Sequence, residues 1–210
     1  MDKNLNKEEL ILQTAMQVFI DKGWHGTKMQ EIADRAGINK ALLHYYYRSK
    51  EKLYTKIFEF LIWRNVGDLF NLFNENLRFD VFLKKFIYSY IDLINKNPKI
   101  PMFLLRELSE GGKVVQNVLN NLLDSKKFSV EKPLSIIQKA MDEGIIVKMD
   151  PRQIIATIVG SCVFFFIAEP IFNTLFVDET TFDREQFVEE RKEAIFRTIH
   201  YGLTPRSDQS

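Results

Sequence analysis

The sequence predicts an all-α protein with a three-helix segment at its N-terminus and a larger helical bundle behind it. Apolar residues recur at the three- and four-residue spacing of helices along most of the chain, and no stretch shows the alternation of a strand. The 9 glycines and 6 prolines fall mainly between these periodic segments, where helices end. A chain of 210 residues is long enough for a small head and a body with its own core.

The first helices have recognisable ends. Asn6 is positioned to cap the first helix, which we expect to end at Gly23. Thr27 is positioned to cap a short second helix. The stretch Ala36–Asn39 interrupts the pattern, with Gly37 suited to a positive φ angle, and a third helix is predicted over residues 40–47. A fourth helix, capped by Ser49, is expected to reach about residue 72.

The rest of the chain continues as helices separated by glycine- or proline-containing joints. We predict residues 1–54 as one domain, residues 55–205 as a second, and residues 206–210 as a disordered tail. The predicted helices of the second domain cover residues 80–96, 101–109, 112–124, 129–143, 151–176 and 183–202. Pro170 is expected to kink or interrupt the long segment at 151–176, because proline has no amide donor.

Composition favours a reducing compartment and leaves the partner open. The net charge of +1 does not by itself indicate nucleic acid, and the single cysteine, Cys162, cannot form an internal disulfide. The first ten residues are polar and lack the apolar stretch of a signal peptide. The longest apolar run is interrupted by Gly160 and Glu169-Pro170, so we expect it to fall short of a membrane span. These features predict a cytoplasmic protein with no membrane partner.

The second and third helices, with the glycine turn between them, have the form of a helix-turn-helix at about residues 28–47. The second helix of this motif normally enters the major groove of DNA. At roughly 100° per residue, Leu43, Tyr46 and Tyr47 share one face of the third helix. The opposite face carries Ala41, His44, Tyr45 and Arg48. A face with aromatic rings, a histidine and an arginine is suited to base edges and phosphates.

The stretch from Thr27 to Leu53 resembles the signature of the TetR family of bacterial regulators. The resemblance covers residues 8–54 and rests on Ala15, Phe19, Gly23, Thr27, Ile32-Ala33, Ala36-Gly37, Lys40, Leu43, Tyr46-Tyr47, Ser49-Lys50-Glu51 and Leu53. The family usually has Phe where Tyr47 stands, so the Tyr47 hydroxyl needs a partner or a path to solvent.

The resemblance implies a role in DNA binding for each matching position. Thr27 and Lys28 correspond to phosphate contacts at a helix N-terminus, and His44, Tyr46 and Lys50 to contacts with the DNA backbone. The implied base-contacting positions are Lys40, Ala41, Leu42 and Tyr45. Simpler roles remain open: Thr27 only caps, Tyr46 only packs, Leu42 only shields the helix, and His44 and Lys50 are ordinary surface residues.

The resemblance also implies a ligand-binding and dimerising body. We expect the 18 phenylalanines to include a cavity wall for a small, largely apolar effector, although a solid aromatic core is the alternative. The candidate cavity residues are Trp63, Phe70, Phe73, Phe86, Phe103 and Phe165. Segments 151–176 and 183–202 resemble the family's two dimerisation helices. The candidate homodimer contacts are Ala156, Gly160, Ile195 and Ile199, which could instead belong to the chain's own core.

The sequence shows no catalytic constellation. The three histidines have no metal-ligand spacing, and there is no nucleophile elbow, phosphate-binding glycine loop or Cys-x-x-Cys pair. We therefore predict no enzyme activity, no metal and no cofactor. The implied function is a transcriptional repressor that binds a palindromic operator in double-stranded DNA and is released by the effector. The alternative is a helical small-molecule carrier or partner-binding module without DNA binding.

Overall fold

The computed structural model describes residues 3–124, 129–177 and 182–205, with the backbone alone at residues 3–6, 62–68, 70 and 99. Within these ranges the chain is helical and contains no strand, which confirms the predicted fold class. The predicted disordered tail, residues 206–210, lies outside the described residues. The helices are α1 (Lys3–Gly26), α2 (Met29–Arg35), α3 (Lys40–Tyr47), α4 (Lys50–Leu72), α5 (Phe79–Lys96), α6 (Lys99–Ser109), α7 (Lys113–Asp124), α8 (Glu131–Asp142), α9 (Pro151–Phe176) and α10 (Arg184–Leu203).

The chain divides into two compact units. The first consists of Met1–Gly67 with Met102–Lys127, and the second of Asp68–Pro101 with Phe128–Ser210. The division falls inside α4 and inside α6. The first unit therefore contains residues 1–54, the predicted head, together with most of α6 and all of α7.

The core of the first unit forms because each helix has one apolar face. On α1, Ile11, Ala15 and Phe19 recur at four-residue spacing and are at most 1% exposed. Apolar residues of the next three helices are equally buried: Ile32, Ala33, Leu43, Leu53 and Ile57 are all 0% exposed. These short helices therefore hold their positions by packing, because isolated helices of seven or eight residues are unstable in water.

Two of the predicted caps are wrong. The first helix begins at Lys3, so Asn6 lies inside the helix and cannot be its cap. The residue before α2 is Lys28, and no described side chain caps that helix. The Thr27 hydroxyl instead donates to the Gly23 carbonyl at 2.7 Å. The predicted break at Gly23 is present, because this glycine has φ 70° and ψ 178° within α1.

The second unit is built around α5, α8, α9 and α10. Leu83, Ile87 and Ile91 follow one another at four-residue spacing on α5 and are 0% exposed. They belong to one apolar cluster with residues of the other three helices: Ile137, Ala140, Ile154, Ile158, Cys162, Ile195 and Ile199. Burial raises the pKa of the Cys162 thiol to about 12, so at neutral pH this cysteine behaves as a small apolar residue.

The long helix α9 is more continuous than the sequence suggested. Asp150 caps it by accepting from the Arg152 amide at 2.9 Å, and the helix runs for 26 residues with Pro170 inside it. By length and composition alone it could cross a membrane, so our expectation that this apolar run falls short of a span is wrong. A core helix of a soluble protein meets the same description.

Candidate nucleic-acid interface

The helix-turn-helix forms at the predicted residues. The connection between α2 and α3 passes through Gly37, whose φ of 65° favours glycine. The Ile38 amide donates to the Ala33 carbonyl at 3.0 Å, which closes the end of α2. Asn39 caps α3, because its side-chain oxygen accepts from the Leu42 amide at 2.7 Å. Local side-chain and backbone chemistry therefore fixes both ends of the turn.

The two faces predicted for α3 are largely the faces found. Leu43 and Tyr47 are 0% and 3% exposed, whereas Tyr45 is 80% exposed. Ala41, His44 and Arg48 are also exposed, and Tyr46 is half-buried rather than inward. The Tyr45 and Tyr46 rings meet edge to face with their centroids 5.8 Å apart. The helix thus presents an aromatic and basic face to solvent.

The hydroxyl of Tyr47, which stands where the family usually has Phe, has a partner in the structure. Its hydroxyl donates to the Glu8 carboxylate of α1 at 3.4 Å. Burial and then the charge of Glu8 raise the pKa of Tyr47 above its usual value, so the hydroxyl stays protonated. The contact joins the end of α3, the recognition helix of the motif, to α1.

The remaining predicted DNA contacts fall into two groups. Lys28 and Lys40 are exposed, and Leu42 is half-buried. Thr27 is only 2% exposed, and its hydroxyl is held by Gly23, so in this conformation its side chain is not available to a phosphate. Lys50 is half-buried and donates to the Thr27 carbonyl at 2.6 Å.

The surroundings of Lys50 differ from those of a free surface lysine. Its ammonium lies 4.7 Å from the centre of the Trp24 ring. Burial lowers the pKa of Lys50 below its usual value. The sequence could not show this role, because Lys50 and Thr27 are 23 residues apart.

A groove of about 390 Å³ lies beside the C-terminal end of α3. It is lined by Glu8, Tyr46, Tyr47, Arg48, Glu51, Lys52, Thr55, Lys56 and Glu59. Because carboxylates alternate with the cations here, this surface is a poor match for a phosphate backbone. The face that suits DNA therefore ends at Arg48.

The predicted cavity residues are found in separate aromatic clusters. The Phe73 and Phe86 rings are 5.9 Å apart and both contact Phe82, and Phe86 also contacts Tyr90 at 5.8 Å. The side chains of Trp63 and Phe70 lie outside the described residues.

The other two predicted cavity residues are packed. Phe165 is 3% exposed and its ring lies 4.9 Å from that of Phe187. Phe103, in the first unit, is 1% exposed and stacks on Phe58 at 4.7 Å. For Phe103 and Phe165 the solid-core alternative is the better description.

The predicted dimer contacts also separate into two kinds. Ala156 and Gly160 are exposed on α9, and a Cβ at Gly160 would meet no described atom within 4 Å. Ile195 and Ile199 are 6% and 8% exposed and belong to the chain's own core. An open groove of about 610 Å³ runs between α9 and α10, lined by Gly160, Ser161, Phe164, Arg191, Ala194, Ile195, Thr198 and Ile199.

The described residues contain no group of three or more His, Cys, Asp or Glu side chains placed to hold a metal ion. What they contain is a two-helix motif whose second helix is buried on one side and exposes tyrosine, histidine and arginine on the other. This arrangement defines a helix-turn-helix DNA-binding protein.

Comparison with known proteins identifies the family. Residues 11–57 match the model for bacterial regulatory proteins of the TetR family. The transcriptional regulator RutR of Escherichia coli K12 is 26% identical over 200 residues, covering 95% of this chain and 92% of RutR. Residues 11–57 are therefore a DNA-binding segment of the TetR family of helix-turn-helix transcriptional regulators, and the chain resembles a regulator that binds DNA rather than an enzyme.

Two further proteins are similar. IcaR of Staphylococcus epidermidis, named as a negative regulator of the biofilm operon icaADBC, is 28% identical over 123 residues, or 55% of this chain and 66% of IcaR. The crystal structure of a TetR family regulator from Marinobacter aquaeolei VT8 superposes with a TM-score of 0.71 at 14% identity, covering 97% of this chain and 98% of that one. This structural likeness supports the fold.

Proposed function

We propose that the protein is a cytoplasmic repressor that binds a palindromic operator as a homodimer and is released by a small, largely apolar molecule. The observation that carries DNA binding is the exposed face of α3, where Tyr45 is 80% exposed. A ring this exposed contributes little to the fold, and it lies on the helix that enters the major groove in this motif. Repression is supported by the name of IcaR as a negative regulator.

The contacts divide between bases and phosphates. Lys40, Ala41, Leu42 and Tyr45 are proposed to contact base edges, since the N-terminal part of the second helix lies deepest in the groove. The proposed contacts to the DNA backbone are Lys28, His44, Tyr46, Arg48 and the remaining donors of Lys50. His44 is oriented by its Nδ1, which lies 3.2 Å from the Arg48 carbonyl.

The test begins with a duplex selected from a random pool by the wild-type protein. Lys28→Ala should weaken binding equally for all sequences and lower the slope of affinity against salt by about one. Tyr45→Ala should relax the preference at one base pair, at a cost of roughly 1–3 kcal/mol. Lys139→Ala is the matched control, because its side chain is 66% exposed on α8 of the other unit. DNA binding through this face is excluded if neither Lys28→Ala nor Tyr45→Ala differs from the control.

The homodimer is supported by an apolar face that a single chain leaves in water. Along α9, Phe164, Ile171, Leu175 and Phe176 are between 65% and 72% exposed. Monomeric proteins rarely expose so continuous an apolar surface, whereas such surfaces are usual at interfaces. Ala156 and Gly160 lie on the same helix and would allow a partner helix to approach closely. Two recognition helices related by a two-fold axis would then match a palindrome.

The effector site is proposed at the half-buried rings of α5 and the end of α4. Phe73, Phe86 and Tyr90 form a continuous aromatic surface. Burial raises the pKa of Tyr90 to about 12, so its hydroxyl remains a donor for a polar group on an otherwise apolar molecule. An apolar wall with one such donor fits a small amphiphile.

The effector proposal is tested with the compound that copurifies with the protein, extracted into organic solvent. Operator DNA should lower the affinity of the protein for the compound, and the compound should lower the affinity for operator by the same factor. For typical couplings this factor is about 5–150. Tyr90→Phe should weaken compound binding, and Tyr88→Phe should not, because the Tyr88 hydroxyl donates to Glu193 at 2.7 Å. Equal compound affinities with and without operator exclude the switch and favour a carrier.

A further inference from the structure

Near the end of α1, the side chains of Arg106, Thr27 and Lys50 donate hydrogen bonds to backbone carbonyls. The Ile20 carbonyl accepts from Arg106 Nη1 at 2.6 Å, and the Gly23 carbonyl accepts from the Thr27 hydroxyl at 2.7 Å. The Thr27 carbonyl accepts from Lys50 Nζ at 2.6 Å. Carbonyls at a helix end have lost their own amide donors, so an outside donor fixes where the chain goes next. We call residues 23–28 the α1–α2 turn.

Two of these three donors are cations from outside α1–α3. Arg106 belongs to α6 and Lys50 to α4. A helix C-terminus carries a partial negative charge, so both cations are favourably placed at the end of α1. The Arg106 guanidinium also lies flat against Gly23, since a Cβ built there would be 3.4 Å from Arg106 Cζ. Gly23 has φ 70°, a conformation that other residues rarely adopt.

The part of α6 that carries Arg106 is firmly attached to the first unit. Phe103 stacks on Phe58 at 4.7 Å and meets Tyr54 edge to face at 5.4 Å. Glu107 is 4% exposed, and its carboxylate accepts from the Val114 amide at the start of α7 at 2.8 Å. The backbone that carries Arg106 is therefore held in place by packing, although the Arg106 side chain is itself exposed.

The α1–α2 turn determines where α2 begins. This helix has seven residues and starts at Met29, directly after the turn. No described side chain caps it, and Ile32 and Ala33 bury its inner face. Since α2 and α3 pack together, and Ile32, Ala33 and Leu43 are all 0% exposed, a displaced turn should move the recognition helix with it.

We propose that Arg106 is a positioning residue for operator binding, acting through the Ile20 carbonyl and the α1–α2 turn. The inference rests on the proposed DNA-binding function. Within the first unit, α6 and α4 each place one cation on the same turn, Arg106 at the Ile20 carbonyl and Lys50 at the Thr27 carbonyl. Arg106 itself does not contact DNA; it sets the angle at which α2 and α3 meet the groove.

The experiment compares Arg106→Ala, Arg106→Lys and the control Arg78→Ala on a duplex selected by the wild-type protein. Arg78 is a fair control because its side chain is 81% exposed and pairs locally with Asp80. Dissociation rates are measured over a range of salt, and amide hydrogen exchange is measured on peptides covering residues 20–30. Arg106→Ala should dissociate about threefold to tenfold faster, the range for one hydrogen bond. Its salt slope should equal that of the wild type, because no phosphate contact is lost.

The other readouts separate positioning from general destabilisation. Exchange in residues 20–30 should be faster in Arg106→Ala and unchanged over residues 53–61 of α4, which belong to the same unit, whereas a generally weakened unit would exchange faster in both segments. Arg106→Lys should recover part of the lost affinity, since lysine still donates to the Ile20 carbonyl. If Arg106→Ala does not fold, the proposal is tested with Arg106→Lys and Arg106→Gln, by the same measurements of dissociation from the duplex and of amide exchange.

Two results would overturn the proposal. One is an Arg106→Ala protein whose rate of dissociation from the duplex and rate of amide exchange in residues 20–30 both equal those of the wild type. The other is a salt slope lowered by about one, which would make Arg106 a direct phosphate contact. A wild-type protein that selects no duplex would remove the DNA-binding proposal. The exchange measurement would then still decide whether Arg106 holds the turn.

Discussion

At the scale of single residues, Tyr45 and Tyr47 show how position in a helix decides role. They are two residues apart on α3, so they point in nearly opposite directions, and they are 80% and 3% exposed. This difference could be predicted from helical geometry alone. The role of Lys50 could not, because its partner, the Thr27 carbonyl, is 23 residues away in the sequence and becomes a neighbour only when α4 packs beside the end of α1.

Substitutions at Asn39 test both the cap of α3 and the position of the start of this helix relative to DNA. Its side-chain oxygen caps α3, so Asn39→Ala should destabilise the protein by about 1 kcal/mol in denaturant unfolding. Asn39→Asp keeps the oxygen and adds a charge that favours a helix N-terminus, so its stability should be retained. The same charge should weaken operator binding, because the start of α3 is proposed to lie in the major groove, where the two phosphate backbones repel an added negative charge. Equal operator affinity for Asn39→Asp and wild type would place this end of α3 away from DNA.

At the scale of helices, the accuracy of the sequence interpretation follows the chemistry of the helix ends. The bounds of α3 and α9 were predicted because Asn39 and Asp150-Pro151 are local start signals that need no distant partner. The start of α1 was missed because nothing in the first residues stops a helix from extending past Asn6.

The same distinction applies to the candidate site. The outward face of α3 follows from periodicity, whereas the contact of Arg106 with Ile20 joins residues 86 positions apart. No local sequence pattern predicts such a contact. The proposed effector surface includes only some of the predicted cavity residues, because an aromatic residue in a cavity wall and one in a solid core have the same sequence pattern, as the half-buried Phe86 and the buried Phe103 show.

At the scale of the whole molecule, the interface between subunits remains to be tested. The face of α9 is proposed to be covered by a second copy, with Gly160 at a point of close approach. Gly160→Arg should place an unpaired charge in that interface and shift the protein to monomer in sedimentation experiments. Its monomer fold should be intact, because a side chain at Gly160 meets no described atom within 4 Å.

Asn120→Arg is the matched control, since it adds the same charge at an exposed position on α7. It should remain dimeric. The monomeric Gly160→Arg variant should also lose most affinity for the palindrome while keeping weak binding to a single half-site. A Gly160→Arg protein that sediments as a dimer would show that this part of α9 lies outside the interface.

The exposed face of α9 also has a consequence for the lifetime of the protein in the cell. If a second copy covers this face as proposed, a newly made subunit would expose Phe164, Ile171, Leu175 and Phe176 until it met a partner, and such a surface is what chaperones and proteases recognise. Because the partner in the proposed dimer would bind only the folded subunit, association would raise the apparent stability as the protein became more abundant. Subunits at low concentration would then be degraded faster than subunits at high concentration. Turnover, as well as effector binding, would then govern how long the regulated genes stay silent.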